Sequence, residues 1–442
     1  MKALFSLLGE LIGVKMLAST ARLVIKRGIS AHRGRMMPVL HQAARGCSST
    51  QNPAGGEEFF KINSANEGKF GDKESVVGAV VDNAVDISKV RPGEVIDVPY
   101  ELTISQAFRD FWQSAFYSHD RINTSTPFAR SLGLQDQSLP FSLMLFMAES
   151  MSHADHAKIQ TGFSKARYHW PAFAGDTLKK RFVIQSCRNT SDGNYSVVDI
   201  YCEMKNQRGM VVFTCVKSMM FPFAVPASEV KVGTPKASDN TDFLDHLVKR
   251  LETLQDLGTQ TLSSLRPGQL ILHTLTRPLN ETHAMQLATM ARVTHERHFN
   301  KRLYRADELV IPGGLVVGLT TSLASRDLHE VLYEELLDCA FPNETGPGET
   351  IGAFTFVSTR EEHRSGDMEA IELRTVGVKN LDVHRQLAGK ALPIELFNGD
   401  IPRPKALEEM LKKKCPELSK KIVCIADRKV YRQAPKQVPF LL

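Results

Sequence analysis

Arg91-Pro92-Gly93-Glu94-Val95-Ile96 returns about 175 residues later as Arg266-Pro267-Gly268-Gln269-Leu270-Ile271. A second pair follows in the same order, Ala174-Gly175-Asp176-Thr177-Leu178 and Pro347-Gly348-Glu349-Thr350-Ile351. The spacing between the pairs differs by only about two residues, so the match is collinear and not a chance recurrence of turns. The chain therefore reads as two copies of one domain. A length of 442 residues exceeds one ordinary core and suits two such copies with a leader.

Working outward from the first Pro-Gly turn, a short strand leads to Ser105, a good helix N-cap. Phe108, Phe111, Trp112, Ala115 and Phe116 then fall at i, i+3, i+4, i+7 and i+8, one apolar helical face. An apolar helix is predicted over 139–151. The β-branched stretches 181–187, 195–205 and 210–220 follow as antiparallel strands, with Asp192-Gly193 and Gln207-Arg208-Gly209 as turns. The second copy repeats this order. It has a strand over 269–275, an N-cap at Asn280 and a helix with Ala284, Leu287, Ala288 and Ala291 on one face. A loop over 293–300 comes next, and Pro312-Gly313-Gly314 leads into an apolar helix over 315–325. Strands over 351–360, 371–380 and 422–433 close the set. An apolar helix wrapped by antiparallel strands, twice, predicts an α+β double hotdog in which two copies share one continuous sheet and cover each other's edges. The organisation expected is a leader over 1–51, a flexible lead-in over 52–84, a first repeat over 85–225 and a linker with a helix over 226–262. A second repeat over 263–435 and a tail over 436–442 complete it.

The composition, 42% hydrophobic and 24% charged, is that of a soluble globular protein. The net charge of +6 is concentrated in the leader, where Lys15, Arg22, Lys26, Arg27, Arg33, Arg35 and Arg45 face a single acid, Glu10. A basic, acid-poor leader of this kind predicts a mitochondrial presequence and a matrix location. The remainder is close to neutral, which weakens any case for nucleic acid. No later stretch approaches the 18 apolar residues of a membrane span, so no membrane insertion is expected. Seven cysteines without a C-x-x-C pair predict reduced thiols, with neither a disulfide framework nor a metal site.

The stretch 125–134 (Ser-Thr-Pro-Phe-Ala-Arg-Ser-Leu-Gly-Leu), the Gly175-Asp176 turn, Ala291-Arg292 with Arg297-His298-Phe299-Asn300, and Pro312-Gly313-Gly314 resemble the MaoC-like dehydratases. Within them they are most similar to the double-hotdog type of mesaconyl-CoA hydratase, also called β-methylmalyl-CoA dehydratase. The resemblance covers about 85–380. It implies hydration of an enoyl-CoA, with a carboxylate and an imidazole holding one water and backbone N–H groups meeting the enolate oxygen.

Each copy keeps half of the implied dyad. The first has Asp120 at the acid position and Ser125 where His is expected; the second has His298 but Val293 in place of the acid. The resemblance thus points to His298 as base, with Glu296 and Asn300 as polar helpers, Gly313 and Gly314 as oxyanion donors, and Asp120 as a further candidate that could instead pair with Arg121. Lys165, Arg167, Lys179 and Lys180 flank the Gly175 turn and are candidates for coenzyme A phosphates. The pair His153 and His156 about Asp155 has no third ligand and reads as a solvated loop.

The leading expectation is a mitochondrial MaoC-like enoyl-CoA hydratase acting on a short or branched acyl-CoA, as a monomer or homodimer. Its only cofactor moiety would be the coenzyme A of the substrate. The alternative is a degraded hotdog pair serving as a structural subunit of a large complex such as the mitoribosome. That reading alone calls for RNA or ribosome association, for which the 412–414 and 420–421 lysines are the handle. An acyl-CoA thioesterase is the third reading, since one fold hosts several chemistries.

Overall fold

The structure, a computed structural model, describes residues 61–62, 81–82, 91–150, 157–222, 228–233, 242–250, 265–362 and 368–434. The leader, most of the lead-in and of the linker, the tail, and the cluster around Asp155 lie outside the described residues.

Within the first repeat the strands are β3 (Val95–Thr103), β4 (Ile159–Tyr168), β5 (Thr177–Asn189), β6 (Ser196–Lys205) and β7 (Val211–Phe221). In the second they are β8 (Leu270–Pro278), β9 (Tyr333–Ala340), β10 (Thr350–Glu362), β11 (Met368–Lys379) and β12 (Ile422–Gln433). All ten join one antiparallel sheet in the order β3-β5-β6-β7-β4-β9-β12-β11-β10-β8. Read inward from either edge, the two halves have the same strand order, the spatial form of the sequence repeat. Upstream, β1 (Lys61–Ile62) and β2 (Val81–Asp82) form a separate two-stranded ladder.

The halves meet at β4 and β9, where Gly162 faces Ala340, Phe163 faces Cys339 and Ala166 faces Leu336. A side chain at Gly162 would collide with the Cys339 carbonyl oxygen, so the seam needs glycine there for close backbone approach. These two strands are absent from the sequence-based expectation. Tyr333–Ala340 carries the run Glu-Glu-Leu-Leu-Asp, poor in β-branched residues, and becomes a strand because β4 and β12 pair with it on both sides.

The longer helices packed inside the sheet, among the described residues, are α1 (Gln106–Ala115), α2 (Phe141–Glu149), α3 (Glu281–Met290) and α4 (Gly313–Leu328). Ser105 and Asn280 cap α1 and α3 as expected, each side chain accepting an N–H from the third residue on. The central helices α2 and α4 run antiparallel in contact. Gly314, at the start of α4, lies against Phe146 near the end of α2, while Gly318 lies against Ser142 near its start. Phe141, Leu145, Leu315 and Leu319 belong to one apolar core that both repeats share.

The second repeat departs from the first between β11 and β12. There the first repeat has only the turn at 206–210, whereas the second inserts about 381–421, including α5 (Pro404–Lys414). Leu396, Leu407, Leu411 and Leu418 of this insertion cover Phe354, Val376 and Ile425 on the other face of the sheet. Lys412 and Lys414 pair there with Glu408 and Glu395. No helix among the described residues is long and apolar enough to cross a membrane.

Candidate active site

A cleft of about 100 Å³ opens at the start of α4, walled by Glu149, Val293, His298, Gly313, Val316 and Phe341. A 3-10 turn, Glu296–His298, brings the imidazole to it. His298 Nδ1 lies 2.8 Å from the Val310 carbonyl oxygen, which can only accept, so Nδ1 carries the proton. Nε2 is then left with a free lone pair. Burial is the main reason the His298 pKa falls to about 4, and the neighbouring His295 and Arg297 push in the same direction. The imidazole is therefore neutral across the physiological range and able to take a proton. His295 is fixed in the opposite tautomer: Nε2 donates to the Ala157 carbonyl at 2.6 Å while Nδ1 accepts the Arg297 N–H.

The carboxylate in this cleft comes from the other repeat. Glu149, the last residue of α2, accepts the Gly314 N–H at 2.6 Å on Oε2 and the Gly313 N–H at 3.2 Å on Oε1. An acid at the end of α2 opposes that helix's own dipole, but the antiparallel packing delivers it to the positive end of α4. Burial raises its pKa to about 7 against the lowering effect of the two amides and of Lys217 and Lys180. Those lysines hold the end of α2 on either side of it. Lys217 donates to the Ala148 carbonyl at 3.3 Å, and Lys180 donates to the carbonyl and the hydroxyl of Ser150. Both ammonium groups are buried, which pulls Lys180 down to about 7 and Lys217 in the same direction.

The chain is 24% identical to the mesaconyl-CoA hydratase of Cereibacter sphaeroides over 330 residues, spanning 70% of this chain and 94% of that one. A crystal structure described as a MaoC domain protein dehydratase from Chloroflexus aurantiacus superimposes with a TM-score of 0.62 at 21% identity, over 80% of this chain and 99% of that one. A Mycobacterium tuberculosis protein described as having a double hotdog fold gives 0.56 at 15%, over 79% and 99%. The chain has the double-hotdog fold of the MaoC-like proteins. No family sequence profile matches it.

Each hotdog presents the same corner, filled differently. Pro312 precedes α4 and Pro140 precedes α2, with nearly equal backbone angles. In the first hotdog the proline is followed by Phe141 and Ser142 instead of two glycines. Ser125, where the second repeat has His298, is used as a helix N-cap, accepting the Phe128 N–H.

The structure does not bring Asp120 to His298. Asp120 lines a separate polar pocket with Ser118, Asn123, Ser325, Glu334 and Arg428, and accepts the Val331 N–H at 2.8 Å. Burial there raises its pKa to about 8. It makes no pair with Arg121, whose guanidinium and backbone N–H both go to Glu330 at 2.6 Å. Glu296 and Asn300 bond to each other at 3.3 Å and are not among the cleft-lining residues.

The four cations proposed for coenzyme A are likewise not gathered at this cleft. Lys180 is buried against α2. Lys179 pairs with Glu101, and Arg167 with Asp242 and Glu335. Lys165 lines a different cavity, on Gln185, Arg188 and Lys231. The cations at the cleft are instead Lys158, exposed beside Tyr195, and Arg297, paired with Glu344 at 2.7 Å.

Glu149 is the cleft residue that sequence reasoning missed. Its signal was a single acid closing an otherwise apolar helix, Phe141 to Ala148, where the dipole disfavours it.

Proposed function

We propose that the chain is a MaoC-like enoyl-CoA hydratase and dehydratase acting on a short or branched acyl-CoA at the His298 cleft. The observation that carries this reading is the pinned tautomer of His298, which leaves an unprotonated Nε2 in an apolar cleft beside the start of α4. In hydration, Nε2 takes a proton from water as the water oxygen bonds to Cβ. The electron pair of the double bond moves to give the enolate, whose oxygen is met by the Gly313 and Gly314 N–H groups. The imidazolium returns the proton to Cα, so one water adds across one double bond with no change in redox state.

Coenzyme A enters as part of the substrate, with the exposed Lys158 of the cleft lining as the cation its phosphates would meet. The similarity to a mesaconyl-CoA hydratase supports the thioester class, and the basic leader supports a mitochondrial matrix enzyme. One observation favours the alternative of a retired enzyme: a carboxylate of the chain itself already sits on the two amides. Hydration of crotonyl-CoA and mesaconyl-CoA by the purified chain, followed by loss of enoyl absorbance, tests the reading. Turnover that falls about 100-fold or more in His298→Ala is expected, and a folded wild type without turnover would overturn it.

A further inference from the structure

We propose that Glu149 is an internal ligand of the Gly313 and Gly314 amides and that an acyl thioester competes with it for them, so that Glu149 sets the affinity of the cleft. The inference rests on the hydratase reading for the identity of the competitor, and on three features of the structure for the competition itself.

The two amides are the first of a 16-residue helix, and both point at one carboxylate, at 3.2 and 2.6 Å. A carboxylate and a thioester oxygen cannot hold the same two N–H groups at once, because each would stand at hydrogen-bond distance from both donors. The occupant is not a surface side chain that has wandered in. Lys217 and Lys180 fix the carbonyls of Ala148 and Ser150, the residues before and after it, and so aim Glu149 at α4. Finally, Gly314 is in close contact with Phe146, so the α2–α4 spacing that brings the carboxylate to the amides is itself tightly packed. With the backbone clamped on both sides, a ligand gains the amides by turning the Glu149 side chain away and leaving α2 in place.

The geometry makes the vacated amides a site for an external anion or oxyanion. A small free carboxylate is the simplest such ligand, since it reproduces what Glu149 supplies.

The test is the affinity of the full chain for butyryl-CoA, which has no double bond to hydrate, measured calorimetrically for wild type, Glu149→Gln and Glu149→Ala. The glutamine keeps the shape but loses the charge, and guards against misfolding of the alanine variant. Binding about tenfold tighter in both variants is expected, the scale of one lost charge-assisted hydrogen bond. Propionate should weaken butyryl-CoA binding to Glu149→Ala much more than to wild type, an effect that a merely structural role for Glu149 would not give. Butyryl-CoA binding that is unchanged or weaker in both variants would overturn the competition while leaving the hydratase reading intact. Failure of all three proteins to bind any thioester would overturn both.

Discussion

At the scale of single residues, the imidazole of the cleft reads from the sequence and the carboxylate that lines the same cleft does not. His298 was marked by its neighbours Arg297, Phe299 and Asn300, and the structure puts it in a cleft with a defined tautomer. Glu149 is 149 positions before it in the chain, reaches the same cleft from the other repeat, and has no motif around it. Its arrival there becomes visible only when two helices are known to pack antiparallel. Lys180 shows the opposite failure. Beside a Gly-Asp turn it looks like a phosphate ligand, yet strand alternation turns it inward, where it caps α2.

The His298 environment also makes a pH prediction. Its pKa is about 4 folded against 6.5 for a free histidine, so between these values the unfolded chain binds the proton and the folded chain does not. Stability from this group is therefore complete above about pH 6.5 and is lost as the pH falls toward 4. Burial of Glu149 and Asp120 acts with the opposite sign as the pH rises, so the effect is to be read as a difference between proteins. The Tm of wild type should fall relative to that of His298→Asn on acidification from pH 6.5 to 4. A constant difference would mean that the imidazole is solvated.

At the scale of elements, the caps at Ser105 and Asn280, the two apolar helices and β12 follow from local pattern, because each is decided by residues within a few positions. The seam strands do not. Both β4 and β9 owe their form to a partner in the other repeat, and β9 has the composition of a helix. The insertion over 381–421 was hidden for a related reason: a repeat match ends where the copies diverge and gives no notice of what is added. The seam carries its own prediction. Gly162→Ala, which forces a Cβ onto the Cys339 carbonyl, should lower stability by about 1–3 kcal/mol in urea denaturation. An unchanged midpoint would show that β4 and β9 do not approach as closely as described.

At the scale of the whole molecule, one sheet and one shared core make the two repeats interdependent. Both tryptophans, Trp112 and Trp170, lie in the first repeat, whereas far-UV circular dichroism reports both. The two signals should therefore lose structure in one coincident transition, and separate midpoints would mean that the repeats fold independently. The same interdependence gives the site its form: His298 and the α4 amides come from one repeat, Glu149 and its lysine clamp from the other. The two corresponding corners differ in their residues, Gly313, Gly314 and His298 in one and Phe141, Ser142 and Ser125 in the other.

The most direct measurement is the product distribution when crotonyl-CoA is incubated with the full chain and the thioesters are separated by chromatography. The account predicts conversion to 3-hydroxybutyryl-CoA, with the same final ratio reached from either side and no conversion by His298→Ala. Release of free coenzyme A in place of the hydroxyacyl product, or unchanged crotonyl-CoA with a folded protein, would contradict it.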